Sequence, residues 1–165
     1  MSVIENNISE IYFNSDITVY VTKEVTDVWN TYRQTTLNKL EANGILICSM
    51  NINETEVWIQ KITVPKKNDI RKRCYFFMKD KGYQKELDNY YKESNGKMFL
   101  LGTWHTHPEN IPNASSLDKK EWIKFAKANK DLMLLCFAIV GIKETKLYVY
   151  KKKKLIQLEK GKIND

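Results

Sequence analysis

An apolar run from Met98 to Trp104 leads directly into His105-Thr-His107-Pro108, and these are the only two histidines in the chain. Such a run, short and rich in large side chains, reads as a buried strand. In a strand, residues i and i+2 project from the same face, so His105 and His107 can address one ion together. Pro108 brings no N–H to a ladder and turns the chain away. Two histidines scattered at random would fall at this spacing in about 1 case in 80. Taken alone, the pair favours metal only mildly over two satisfied polar residues at a strand end.

A buried strand needs neighbours, and the sequence supplies them. Ile17 to Val21 alternates and is β-branched, while Gly44 to Met50 and Glu56 to Val64 read as consecutive strands across a polar turn at Asn51 to Thr55. Pro65 closes the second. Leu132 to Val140 and Thr145 to Tyr150 read as a final strand pair. Helical spacing marks Val25, Val28, Trp29 and Tyr32, then Tyr83, Leu87, Tyr90 and Tyr91, with a stop at Ser94-Asn95-Gly96. Ser115 to Asn129 reads as a third helix. Neighbouring strands mixed with helices predict an α+β domain around one curved sheet. Its 165 residues suit a single domain over residues 1–165 with one sizeable core.

With 42% hydrophobic and 12% aromatic residues, the chain has the makings of a packed globule rather than a disordered segment. The longest apolar stretch, Leu132 to Ile142, is too short to span a bilayer. No basic segment followed by an apolar run marks a secretory signal at the N-terminus. Cys48, Cys74 and Cys136 are odd in number and widely spaced, which predicts reduced, mostly buried thiols in a cytoplasmic protein. The net charge of +7 is carried almost entirely by Lys, with Arg only at positions 33, 71 and 73. Nucleic-acid sites favour Arg, so no nucleic-acid partner is expected, and no membrane partner either. The run Lys151 to Lys154 reads as a solvated strand end or turn, with an acidic docking surface as the alternative.

Asp118 changes the weight of the histidine pair. It stands in Ser115-Ser-Leu-Asp118, which is also the pattern of a helix capping box. Asp118, Trp122, Phe125 and Ala126 share one helical face, so the carboxylate begins an apolar stripe. Facing a core is costly for a carboxylate unless it is paired or bound to metal. Two imidazoles and one carboxylate are a normal ligand set for catalytic zinc, with the fourth position left to water. Capping and ligation compete for one carboxylate in this reading, and ligation is favoured.

His-x-His-Pro, six residues, Ser, two residues and Asp, from His105 to Asp118, resemble the JAMM signature of the JAB/MPN metallopeptidases. That family carries an upstream Glu at the start of a core strand, within Glu-x-Gly-Gly-x-Leu. Glu41-Ala-Asn-Gly-Ile-Leu46 is similar to it, with Asn43 in place of the first glycine and Cys48 where a glycine often follows. Asn is the substitute that best tolerates positive φ. Viewed alone, Glu41 would be an exposed acid after a helix. Asp69 to Lys79, the helix through Tyr91, Ser94-Asn95-Gly96, Leu101-Gly-Thr-Trp-His105, Pro108-Glu109, Pro112 and Trp122 resemble one bacterial branch. That branch is the JAB deconjugase of type II CBASS antiphage operons, which acts on the conjugated cyclic-nucleotide synthase, the CD-NTase.

The resemblance implies a JAB/MPN-type, cytidine-deaminase-like fold, with a curved mixed sheet flanked by helices. It implies Zn2+ held by His105, His107 and Asp118, a metal that lowers the pKa of bound water to about 7. Glu41 would move the proton from water to the leaving amine, and Ser115 would donate a hydrogen bond to the developing oxyanion. The implied partner is a protein carrying a ubiquitin-like or CD-NTase C-terminal tail. Two alternatives stand beside it: a peptidase processing a sulfur-carrier or bacterial ubiquitin-like protein, and an inactive MPN scaffold. Pro65 to Lys79 and the helix with Tyr90 and Tyr91 lie where JAB proteins carry substrate-binding insertions, and their aromatics are expected to be core more often than contact.

Overall fold

The computed structural model describes residues 7–163. β1 (Ile8–Phe13) and β2 (Thr18–Thr22) form a hairpin, followed by α1 (Lys23–Tyr32) and a second hairpin of β3 (Asn43–Met50) and β4 (Glu56–Ile62). A small separate hairpin, β5 (Ile70–Lys72) and β6 (Tyr75–Phe77), leads to α2 (Gly82–Glu93). Then come β7 (Phe99–Thr106), α3 (Ser116–Ala128), β8 (Leu134–Val140), β9 (Thr145–Lys151), β10 (Lys154–Gln157) and β11 (Glu159–Lys160). Nine strands form one sheet in the order β10-β9-β8-β7-β3-β4-β2-β1-β11. β2–β4 and β7–β8 are parallel and the other pairs antiparallel, so the sheet is mixed and the fold α+β.

β8 explains how the helices are arranged. All seven of its residues are buried, as a near-continuous apolar strand should be when covered on both faces. Leu134, Cys136, Ala138 and Val140 pack into a core with Val25 and Trp29 of α1. Leu135, Phe137 and Ile139 point the other way, against Trp122 and Ala126 of α3. The sheet is therefore sandwiched, with α1 on one face and α3 on the other. Trp104 and His105 divide along the same rule: Trp104 lies in the α1-side core, and His105 meets the Trp122 ring at 6.2 Å between centroids.

Two glycines let backbones meet at the centre. A Cβ on Gly44 would lie 2.0 Å from Thr63 O and 2.5 Å from the Trp104 Nε1. The Trp104 indole needs that space, because it donates to Thr63 O at 3.0 Å. A Cβ on Gly102 would meet Cys136 O at 1.6 Å, where β7 runs beside β8.

The predicted helices and central strands form close to their expected ends. β1, β5, β6, β10 and β11 were not anticipated. Lys152 and Lys153 form the turn between β9 and β10, both with positive φ, and both are exposed, so the Lys run is a solvated turn. Cys48 and Cys136 are buried, whereas Cys74, in the β5–β6 turn, is exposed. Tyr83 alone among the aromatics of the insertion and α2 is fully core. Tyr91 of α2 is about half exposed, against expectation, and so are Tyr75 and Phe77, which stand in a hairpin of three-residue strands with no second layer to cover them. Among the described residues no helix is long and apolar enough to cross a membrane.

Candidate metal centre

The two histidines sit where β7 leaves the sheet. His105 is the penultimate residue of β7, and His107 follows its end, fixed by its backbone N–H donating to Val140 O at 3.0 Å. Both rings turn to the α3 side of the sheet. Their Nε2 atoms lie 3.1 Å apart, too close for two protonated nitrogens to face each other comfortably. His105 Nε2 is also 3.1 Å from Asp118 Oδ1, and His107 Nε2 is 3.5 Å from Asp118 Oδ2. The ligand atoms of all three residues fall within 4.8 Å of one another. Two imidazole nitrogens and one carboxylate, aimed at a common point, are a donor set that suits zinc.

Asp118 does two things at once. Ser115 is the N-cap of α3, and its Oγ accepts from Asp118 N at 3.1 Å. Asp118 Oδ2 in turn accepts from Ser115 N at 2.7 Å and from Ser115 Oγ at 2.6 Å. The capping box is complete, yet Oδ1 remains turned to His105. This corrects the expectation that capping and facing the histidines compete: the box itself holds the carboxylate in place. The Ser115 hydroxyl proton is used inside the box, so oxyanion donation from Ser115 requires that proton to leave Asp118.

The charges agree with the geometry. Burial alone would raise the Asp118 carboxyl, but its hydrogen bonds with His105 and His107, and then with Ser115, outweigh burial and hold it well below the usual range. Burial opposes charge on His107, yet Asp118 and Glu109 raise its pKa above the ordinary value. Glu109 Oε2 lies 3.4 Å from His107 Nδ1, the ring nitrogen turned away from the centre. A carboxylate there fixes the tautomer that leaves Nε2 free as a ligand. Glu109 is held in turn by Ile142 N donating to its backbone O at 2.7 Å.

Glu41 reaches the centre by strand register. Asn43 pairs with His105 in the β3–β7 ladder, and the two residues before it continue the approach to β3 beside the end of β7. Thr106 N donates to Ala42 O at 2.9 Å, in keeping with that extension. Glu41 lies near enough to the centre for its carboxyl to interact electrostatically with both His107 and Asp118. It is partly buried rather than exposed, and burial pushes its carboxyl up to about 7, with His107 lowering and Asp118 raising it. Asn43 begins β3 in extended backbone and takes no positive φ, so its replacement of a glycine strains nothing. Gly44 is the glycine this strand requires, for the close approach of Thr63 and Trp104.

Sequence reasoning missed Glu109 as a partner of His107, although its place two residues on was a local signal. It also missed Arg71, whose Nε donates to Glu41 O at 2.8 Å, and Gln34, whose Oε1 accepts from Thr106 Oγ1 at 2.8 Å. Both contacts span long stretches of chain and leave no local pattern.

The family model for prokaryotic homologs of the JAB domain matches residues 31–150. A CD-NTase/cGAS isopeptidase from Escherichia coli is 33% identical over 140 residues, which cover 84% of this chain and 86% of that protein. Proteins of the same name from Pseudomonas aeruginosa and Vibrio cholerae are each 31% identical, covering 74% and 79% of this chain and 77% and 80% of their own. A solution structure of a Desulfitobacterium hafniense protein shares the fold, with a TM-score of 0.54 at 20% identity over 83% of this chain and 87% of that one. The model match spans Glu41, both histidines and Asp118 together, and the chain belongs to the prokaryotic JAB family.

Proposed function

We propose that this chain is a zinc-dependent isopeptidase that releases a CD-NTase from a conjugate formed through its C-terminal tail, in CBASS antiphage defence. The observation that carries the reading is the convergence of His105, His107 and Asp118 within 4.8 Å, beside a partly buried Glu41 whose carboxyl interacts with both His107 and Asp118. Three relatives at 31–33% identity, each named a CD-NTase/cGAS isopeptidase, supply the substrate class. Zinc, when bound, polarises a carbonyl and acidifies water.

The chain's own residues do the rest. His105, His107 and Asp118 would hold the metal, and the capping box and Glu109 support their donor atoms. Glu41, with its carboxyl pushed up to about 7, is matched to taking a proton from water and returning it to the departing amine near neutral pH. Ser115 is the N-cap of α3 beside the ligands, and its hydroxyl would serve the developing oxyanion by giving up its donation to Asp118 Oδ2. The test is a CD-NTase fused through its C-terminus to a cargo protein, incubated with the zinc-loaded enzyme. Cleavage directly after the CD-NTase tail, stopped by a chelator and by Glu41→Ala, is the expected result. Intact fusion with zinc bound overturns the proposal.

A further inference from the structure

On the face of the sheet opposite the metal centre, the same two backbones are joined by a buried polar lock. Thr106 stands between the two histidines and points toward the α1 side, where it is fully buried. Its Oγ1 accepts from Ala42 N at 2.9 Å, replacing a ladder carbonyl where β3 has not yet begun. The same hydroxyl donates to Gln34 Oε1 at 2.8 Å. Gln34, 1% exposed, spends its amide protons on Arg73 O at 2.7 Å and Lys39 O at 3.3 Å. One side chain thus ties the end of β7, the approach to β3 and the β5–β6 turn.

Those three segments are the ones that fix Glu41. Its backbone belongs to no strand: its N–H donates to Lys72 O at 2.8 Å and its C=O accepts from Arg71 Nε at 2.8 Å. The histidines are anchored differently, by the β3 and β8 ladders and by α3. Loss of the Gln34 amide would therefore free the Glu41 segment and leave the metal ligands where they are. We infer that Gln34 is a positioning residue for Glu41, acting through Thr106 and the Arg73 carbonyl on the far side of the sheet.

This role rests on the isopeptidase reading, and the experiment separates the two. Gln34→Ala and Gln34→Glu are compared with wild type on the CD-NTase fusion, with zinc affinity and thermal stability measured on the same samples. The Glu variant keeps the acceptor for Thr106 but loses the donor to Arg73 O. The expected result is a kcat lowered roughly ten- to a hundredfold, with KM within about twofold and zinc affinity within about threefold of wild type. Thr106→Val should lower kcat likewise, and the Gln34→Ala/Thr106→Val double variant should be little slower than the slower single. Wild-type kcat in Gln34→Ala overturns the inference. So does a parallel loss of zinc affinity, or failure of both Gln34 variants to fold, since each makes Gln34 a support of the whole fold. A wild type that leaves the fusion intact removes the isopeptidase reading, and this role with it.

Discussion

Glu41 and Gly44 stand three residues apart and answer to different physics. Glu41→Gln keeps the volume and the backbone ties to Lys72 and Arg71 but leaves no group to carry a proton. General acid–base residues of this kind contribute roughly a hundred- to ten-thousandfold. The expected outcome is a kcat lowered by that order in the fusion assay, with zinc affinity by chelator competition unchanged. Gly44→Ala is a packing lesion instead. Its Cβ would enter the space that lets Trp104 donate to Thr63 O, and backbone on one side and a buried indole on the other cannot retreat. Overpacking of this severity costs about 1–3 kcal/mol or more, so Gly44→Ala should lower the denaturant midpoint while leaving the side chains of the centre untouched. An unchanged midpoint would mean that β3 and β4 can part without cost.

At the scale of elements, the β5–β6 insertion depends on one carboxylate. Asp69 accepts from the backbone N–H of Lys66 (2.7 Å), Lys79 (2.9 Å) and Asp80 (3.0 Å), and from the Tyr83 hydroxyl of α2. Burial would raise its pKa, but the Tyr83 hydrogen bond and then the backbone ones lower it below the ordinary value. A folded pKa below the unfolded value, near 3.9, gives stability that is present above about pH 3.9 and lost as pH falls through the folded value. Asp69→Ala should cost about 1–3 kcal/mol at pH 7, and the gap to wild type should narrow steadily on acidification. A gap that stays constant down to pH 3 would remove Asp69 as the titrating support.

This insertion also marks the limit of what the sequence discloses. α1, α3, β3, β4, β7, β8 and β9 announce themselves because each has its own periodicity of apolar residues. β5, β6 and β11 have two or three residues each and exist only through a partner strand elsewhere. The centre divides in the same way. His105, His107, Ser115 and Asp118 lie within one short stretch and could be read as a pattern. Glu41 was legible only through a family resemblance, and Gln34 and Arg71 not at all, because what recruits them is the ladder register and the fold of the hairpin.

At the scale of the molecule, the metal would join elements that packing alone joins loosely. α3 rests on the sheet chiefly through Trp122 and Ala126, and its first turn meets the end of β7 through Asp118 and the histidines. Ligation would clamp the N-terminus of α3 to the end of β7, and through Val140 to β8 as well. A ligand bound only by the folded state stabilises it by about 2.7 kcal/mol at one hundred times its Kd, which for a domain of this size raises Tm by roughly 5–10 °C. Zinc-loaded protein should therefore melt above chelated protein by that margin, and amide exchange in the first turn of α3 should speed up when the metal is removed. His107→Ala should abolish the difference, because the remaining nitrogen and carboxylate leave too few ligands. Glu41→Gln, by contrast, should keep the whole increment, since Glu41 moves protons and does not hold the ion. Equal melting with and without zinc would mean that these three side chains bind no ion tightly, and that the capping box and ion pairs account for their convergence unaided.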